Sequence, residues 1–198
     1  MLWGTVMTHH RSTGFVVAIL VGVAVSACSS ATGGNPPSSP APSSESTATS
    51  AATTTATPTP AETAGDRAIR AYLGMWRDMA AAAKTSDWRS PRLARNATGK
   101  ALSRISRGLY ADHYNGLVTK GEPRNNPEVE AVTPADNPTT VDIVDCGDDS
   151  DWVKYHADTG KPANDGPGGR RHITARVEKA VDGSWKVTDF AIQDVGTC

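Results

Sequence analysis

Between Ser29 and Thr63 the chain is almost entirely Ser, Thr, Ala, Pro and Gly, and this tract limits what the rest can fold into. It holds six prolines, no aromatic or large aliphatic side chain, and only Glu45 and Glu62 as charges. A segment of that composition cannot bury enough apolar surface to offset the entropy of ordering. It reads as a disordered tether over residues 28–65, spanning about 30 Å as a flexible coil and about 100 Å if polyproline-like. Its Ser, Thr and Pro content also suits O-linked sugar. What remains, residues 66–198, is roughly 133 residues of ordinary composition without an internal repeat, the commonest size for one domain with its own core.

Ahead of the tract, residues 1–14 carry Arg11 and two histidines but no acidic residue. Phe15 to Val25 is an uncharged apolar run of about eleven residues, short of the roughly 20 that a spanning helix needs. A polar head, a short apolar middle and small residues at its end describe a bacterial secretion signal over residues 1–27. The run closes on Val25-Ser26-Ala27-Cys28, which resembles a bacterial lipobox. The resemblance implies cleavage before Cys28 and a diacylglycerol, with fatty chains such as palmitate, on its sulfur. At about 0.8 kcal/mol per buried methylene, several acyl chains make a stable anchor where one would be marginal. The expected location is the outer face of the cytoplasmic membrane. The alternatives are an ordinary secretion signal with Cys28 as a stray thiol, or an uncleaved signal anchor.

The chain has three cysteines, and an odd count in an exported protein leaves one thiol to explain. If Cys28 carries lipid, Cys146 and Cys198 remain as a pair in an oxidising compartment, where a disulfide is expected; two buried free thiols are the alternative. Charge excludes one class of partner. With 20 basic and 21 acidic side chains, a net charge of -1 and a mean hydropathy of -0.39, no nucleic-acid footprint is expected.

From Asp66 to Ala83, apolar residues at Ile69, Tyr72, Leu73, Trp76, Met79, Ala80 and Ala83 form the stripe of an amphipathic helix. A second helix is expected from the Thr98-Gly99 cluster to about Gly116, with Leu102, Ile105, Leu109, Tyr110 and His113 on or near one face. Lys100, Arg104 and Arg107 then form a solvated basic side. After Gly121 the period becomes two, and strands are expected over 128–133, 139–146, 152–156, 172–181 and 185–195. A two-residue turn at Asp182-Gly183 joins the last two. In the last strand Trp185 and Val187 take one phase but Phe190 and Ile192 the other, which predicts a bulge near Thr188-Asp189.

Helices followed by antiparallel strands define an α+β domain, its N-terminal helices packed on one face of a strongly curved sheet. The chain here resembles the nuclear transport factor 2-like superfamily, the cone-shaped fold that includes ketosteroid isomerase, and within it the lipid-anchored members of actinobacteria. The resemblance covers 66–198. It rests on Ala68-x-x-x-Tyr72-x-x-x-Trp76, Val141-Asp-Ile-Val-Asp-Cys146, Gly168-Gly-Arg-Arg171, Gly183-Ser-Trp-Lys-Val187 and Asp194-Val-Gly-Thr-Cys198. It implies the fold and a cell-surface setting, since that superfamily hosts isomerases, dehydratases and partner-binding modules alike.

A cone cavity would be lined by Tyr72, Trp76, Leu109, Tyr110, His113 and Phe190. Family enzymes set a carboxylate base opposite a tyrosine or protonated acid in such a cavity. Tyr72, Tyr110, Asp112, His113 and Tyr114 are the residues of the right types, and none stands in a family catalytic motif. Asp112 and His113 point about 100° apart on a helix, so at most one faces the cavity. Asp145, Asp148, Asp149 and Asp151 crowd one turn without calcium-loop spacing, and His156 with His172, which could approach across paired strands, lack a third ligand for zinc. The glycine-rich loop 164–171 precedes a strand rather than a helix, so it lacks the setting of a phosphate loop. No metal, cofactor or catalytic residue is expected. The reading is a non-catalytic, membrane-anchored module that binds a small apolar ligand or a cell-envelope protein and is able to form a homodimer. The alternative is a small isomerase or dehydratase.

Overall fold

The structure is a computed structural model and describes residues 57–198 except 164, 165 and 167; the expected signal, Cys28 and most of the expected tether lie outside the described residues. Its elements in chain order are α1 (Pro60–Ala83), α2 (Leu93–Asn96), α3 (Gly99–Tyr114), β1 (Leu117–Lys120), β2 (Glu128–Thr133), β3 (Thr140–Asp148), β4 (Val153–His156), β5 (Arg170–Lys179) and β6 (Trp185–Ile192). The α+β class is as expected: helices lie on one face of antiparallel strands in the order β2-β3-β5-β6.

α1 starts six residues before the apolar stripe, inside the Ser/Thr/Ala/Pro tract. Its start is a capping box: the Thr59 hydroxyl accepts from the Glu62 N–H at 3.2 Å, and the Glu62 carboxylate accepts from the Thr59 N–H at 2.6 Å. Pro60 occupies the first turn, where its missing N–H costs nothing. Ala64 and Gly65, read from sequence as tether, are buried. The Thr59 hydrogen bonds hold the Glu62 carboxyl below its ordinary pKa.

The sheet buries alternate residues. Val141, Ile143, Asp145 and Gly147 of β3 and Ile173, Ala175 and Val177 of β5 face the helices. In β6, Arg176 pairs with Asp189 and Val177 with Val187, so Thr188 is the extra residue of the expected bulge. The bulge turns Phe190 inward as expected, while Ile192 stays largely exposed. The β5–β6 turn is longer than expected. The Ala180 N–H donates to the Ser184 carbonyl and the Gly183 N–H to the Ala180 carbonyl, a three-residue loop in which Gly183 takes φ +81°. That left-handed position is why the glycine stands third rather than second.

β1 is absent from the sequence reading, because four residues directly after a helix show no usable alternation. It pairs antiparallel with β4, so the two form a ribbon separate from the main sheet. The ribbon also separates the two histidines. His156 pairs with Leu117 in the ribbon, whereas His172 lies opposite Cys146 in the main sheet, so the two do not meet across paired strands.

Cys146 and Cys198 are bridged, with Cα atoms 5.9 Å apart. The final residues are held further by the Gly196 N–H, which donates to the Arg170 carbonyl, and by the Thr197 hydroxyl, which accepts from the His172 N–H at 2.9 Å. Closing a loop of sequence separation 52 removes about 4 kcal/mol of denatured-chain entropy in the chain-entropy model. Reduction, or the Cys146→Ser and Cys198→Ser pair of substitutions, is therefore expected to lower the melting temperature by on the order of 10 °C. Differential scanning calorimetry with and without reductant measures it; coincident melts would show that the bridge does not contribute to folding.

Candidate functional site

The last two turns of α1, the middle of α3, β6 and the ribbon enclose a cleft of about 340 Å³. Trp76, Met79 and Ala83 come from α1, and Ile105, Gly108, Leu109 and Asp112 from α3, each set at the three- and four-residue spacing that shares one helix face. Phe190 is supplied by the bulge in β6, Thr119 and Lys154 by the ribbon, and Trp152 by the turn before β4. Trp76 is the hub. Its ring meets Tyr72 at 6.1 Å, Trp152 at 6.2 Å and Phe190 at 5.9 Å between centroids, all edge-to-face, the arrangement that the ring quadrupoles favour.

Both carboxylates in the lining are paired, Asp112 within the lining and Asp149 from outside it. Lys154 Nζ lies 2.9 Å from Asp112, and Arg171 Nε donates to Asp149 at 2.9 Å. Arg104, exposed as expected of the basic side, also lies over Phe190 and donates to its carbonyl at 2.7 Å. Both lining carboxylates are thus held by basic side chains.

Of the six candidate lining residues, Trp76, Leu109 and Phe190 line the cleft. Tyr110 and His113 do not: both are exposed, and Tyr110 packs on Trp88 and Tyr114 instead. The lining face of α3 is centred near Ile105 and Asp112, which leaves His113 about 90° and Tyr110 about 150° round the helix. Trp152, Thr119 and Lys154 were not among the candidate lining residues: the strand over 152–156 was legible, but its partner β1, and with it the ribbon, was not. Their one signal was the apolar Trp152 beside a short β-like run.

Tyr72 is fully buried elsewhere. Its hydroxyl donates to Asp145 Oδ2 at 2.8 Å, where Asn125 Nδ2 also donates at 2.6 Å, and the Asn126 N–H donates to Asp145 Oδ1 at 2.9 Å. Gly147 leaves room for this: a Cβ there would stand 2.7 Å from Ile173 and 3.0 Å from Asn125. The Trp76 indole N–H lies near the Tyr72 oxygen without making a hydrogen bond of normal geometry. Burial above all, then the Asp145 charge and hydrogen bond, raise the Tyr72 pKa well above the tyrosine range. The folded state therefore holds a proton that the unfolded chain releases near pH 10. Stability from this group is complete below that pH and falls as pH rises beyond it. Tyr72→Phe should flatten the alkaline limb of a stability–pH curve from urea titrations; an unchanged limb would contradict the assignment.

The aspartate-rich turn is built from internal contacts. Hydrogen bonds from Ser150, then from Arg124, hold the Asp148 carboxyl well below the usual carboxylate range, and Arg124 also pairs with Asp151. Asp149 accepts from the Gly169 N–H at 2.7 Å and from Arg171, so one arginine of the glycine-rich loop faces inward rather than to solvent. Arg170 Nε donates to the Cys146 sulfur at 3.2 Å. Among the described residues no group of three potential ligands is arranged for a metal.

The domain is thus an α+β unit with an aromatic-walled cleft beneath its helices. No family model matches the chain, and no curated protein matches it. Among solved structures, it is similar to the intermembrane space region of the chloroplast protein ARC6, at 20% identity over 69% of this chain and 98% of that one, with a TM-score of 0.40. A cystatin-like-fold protein of unknown function from Nostoc punctiforme gives 10% identity over 70% and 95%, with a TM-score of 0.40. A ketosteroid isomerase-like protein from Erwinia carotovora atroseptica gives 11% over 64% and 92%, with a TM-score of 0.38. Likenesses this distant carry no argument about function.

Proposed function

We propose that the domain is a nuclear transport factor 2-like binding module that holds a small apolar ligand in the Trp76–Trp152–Phe190 cleft. The supporting observation is a cleft of about 340 Å³ that is walled by three aromatic rings and has both its carboxylates in ion pairs. That volume is within the range of small-molecule sites, and apolar walls with a few polar groups are their usual lining. Asp112 is engaged by Lys154 and Asp149 by Arg171, so both lining carboxylates are occupied by ion pairs within the fold, which favours binding over the isomerase or dehydratase alternative.

Gly108 supplies the test. It lines the cleft, it is inside α3, and a Cβ there meets nothing within 4 Å. Gly108→Leu therefore fills the cleft while improving helix propensity by roughly 1 kcal/mol. Titration with the neutral apolar fluorophore N-phenylnaphthylamine should show binding that this substitution weakens by about tenfold or more, with the melting temperature unchanged or raised. Undiminished binding would place the apolar site elsewhere. The cluster of exposed Tyr110 and Tyr114 with half-buried Trp88 is then the surface that favours a cell-envelope protein partner.

The same proposal places the domain outside the cytoplasmic membrane, held by lipid on Cys28. The support is the Val25-Ser26-Ala27-Cys28 sequence behind a short apolar run, together with a bridged Cys146–Cys198 pair that suits an oxidising compartment. Cys28→Ser should move the protein from the membrane to the soluble fraction of a bacterial host. Continued membrane retention would count against the lipobox.

A further inference from the structure

The charged side chains that line the apolar cleft are Arg104, Asp112, Asp149 and Lys154. Asp112 is met by Lys154 and Asp149 by Arg171, which leaves Arg104 as the lining charge without an ion pair among the described residues. The adjoining hollow does not supply a counter-ion. Arg104 borders it together with Glu130, Asp142 and Asp189, but Asp142 pairs with Arg176 and Asp189 with Lys100, and no described carboxylate lies within ion-pair distance of the Arg104 guanidinium.

Two contacts fix where that charge stands. The guanidinium lies 5.3 Å from the Phe190 ring centroid, and one of its terminal nitrogens donates to the Phe190 carbonyl at 2.7 Å. Phe190 is itself an aromatic wall, so the cation is tied to the cleft rather than swinging free over α3. Its remaining N–H groups have no acceptor among the described residues, and a guanidinium fork matches a carboxylate two oxygens at a time. Because Arg104 is exposed, an anion held there keeps part of its hydration, and the desolvation cost of a fully buried ion pair does not arise.

We infer that the cleft takes an amphipathic monocarboxylate, with its apolar body between Trp76, Trp152 and Phe190 and its head on Arg104. The inference rests on the reading of this cleft as the apolar ligand site and adds the chemistry of the ligand's polar end. One uncompensated positive charge matches a head of single negative charge, while Met79, Ile105 and Leu109 beside the aromatic rings match a hydrocarbon body. Arg104 is then the residue that selects an acid over a neutral compound of the same chain length.

The test titrates the full chain by isothermal calorimetry with decanoate and with decanol, which share a chain length and differ in charge, each below the concentration at which it aggregates. Decanoate should bind with an affinity about tenfold or more above that of decanol. In Arg104→Gln that ratio should fall close to one, and in Arg104→Lys, which keeps the charge but not the fork, to an intermediate value. Taking the ratio within each variant cancels any general loosening of the cleft. Gly108→Leu, which fills the cleft and keeps Arg104, should weaken both compounds. Equal affinities in the unaltered chain, or a preference that survives Arg104→Gln, would overturn the inference while leaving the apolar cleft standing. Failure of both compounds to bind, or binding that Gly108→Leu leaves intact, would remove the reading of the cleft itself and this inference with it.

Discussion

Asp145 puts a carboxylate in the row of β3 side chains that faces the helices, and a buried carboxylate is tolerated only where donors surround it. Those donors come from far apart in the chain. Tyr72 reaches it from the middle of α1, while Asn125 and the Asn126 N–H reach it from the segment between β1 and β2. One polar cluster therefore fixes the helix on the sheet and seats the connection that brings β2 to the edge. It works only because Gly147 leaves space for the Asn125 amide. The next residue, Cys146, belongs to the opposite face of the strand, and its bridge to Cys198 ties the end of the chain to the same strand. Two neighbouring side chains thus anchor the fold through opposite faces of one strand.

The cleft follows from that placement. With α1 fixed through Tyr72, Trp76 lies one turn further along, where its ring meets Phe190 and Trp152. Phe190 is there because the bulge at Thr188 changes the phase of β6, and Trp152 because the β1–β4 ribbon stands apart from the main sheet. A continuous sheet would leave no separate ribbon to wall the cleft. Both lining carboxylates are met by basic side chains, Asp112 by Lys154 and Asp149 by Arg171, so the space between the aromatic walls is largely apolar.

Local chemistry was readable in the sequence. The stripe from Ile69 to Ala83 gave a helix because its period matches the α-helical turn, and Ile173, Ala175 and Val177 gave a half-buried strand because their period is two. The bulge near Thr188 was legible as a clash of phases along one strand, and the cysteine pair as arithmetic. The start of α1 was missed because a capping box of Thr59 and Glu62 sits in a tract whose composition otherwise argues against order. What only the tertiary structure decided is which polar groups meet. Nothing in the spacing of Tyr72, Asn125 and Asp145 ties them together, and nothing local decides which face of α3 meets the cleft. Those outcomes depend on how elements rotate against one another to satisfy buried donors and acceptors, and that is a property of the packed whole.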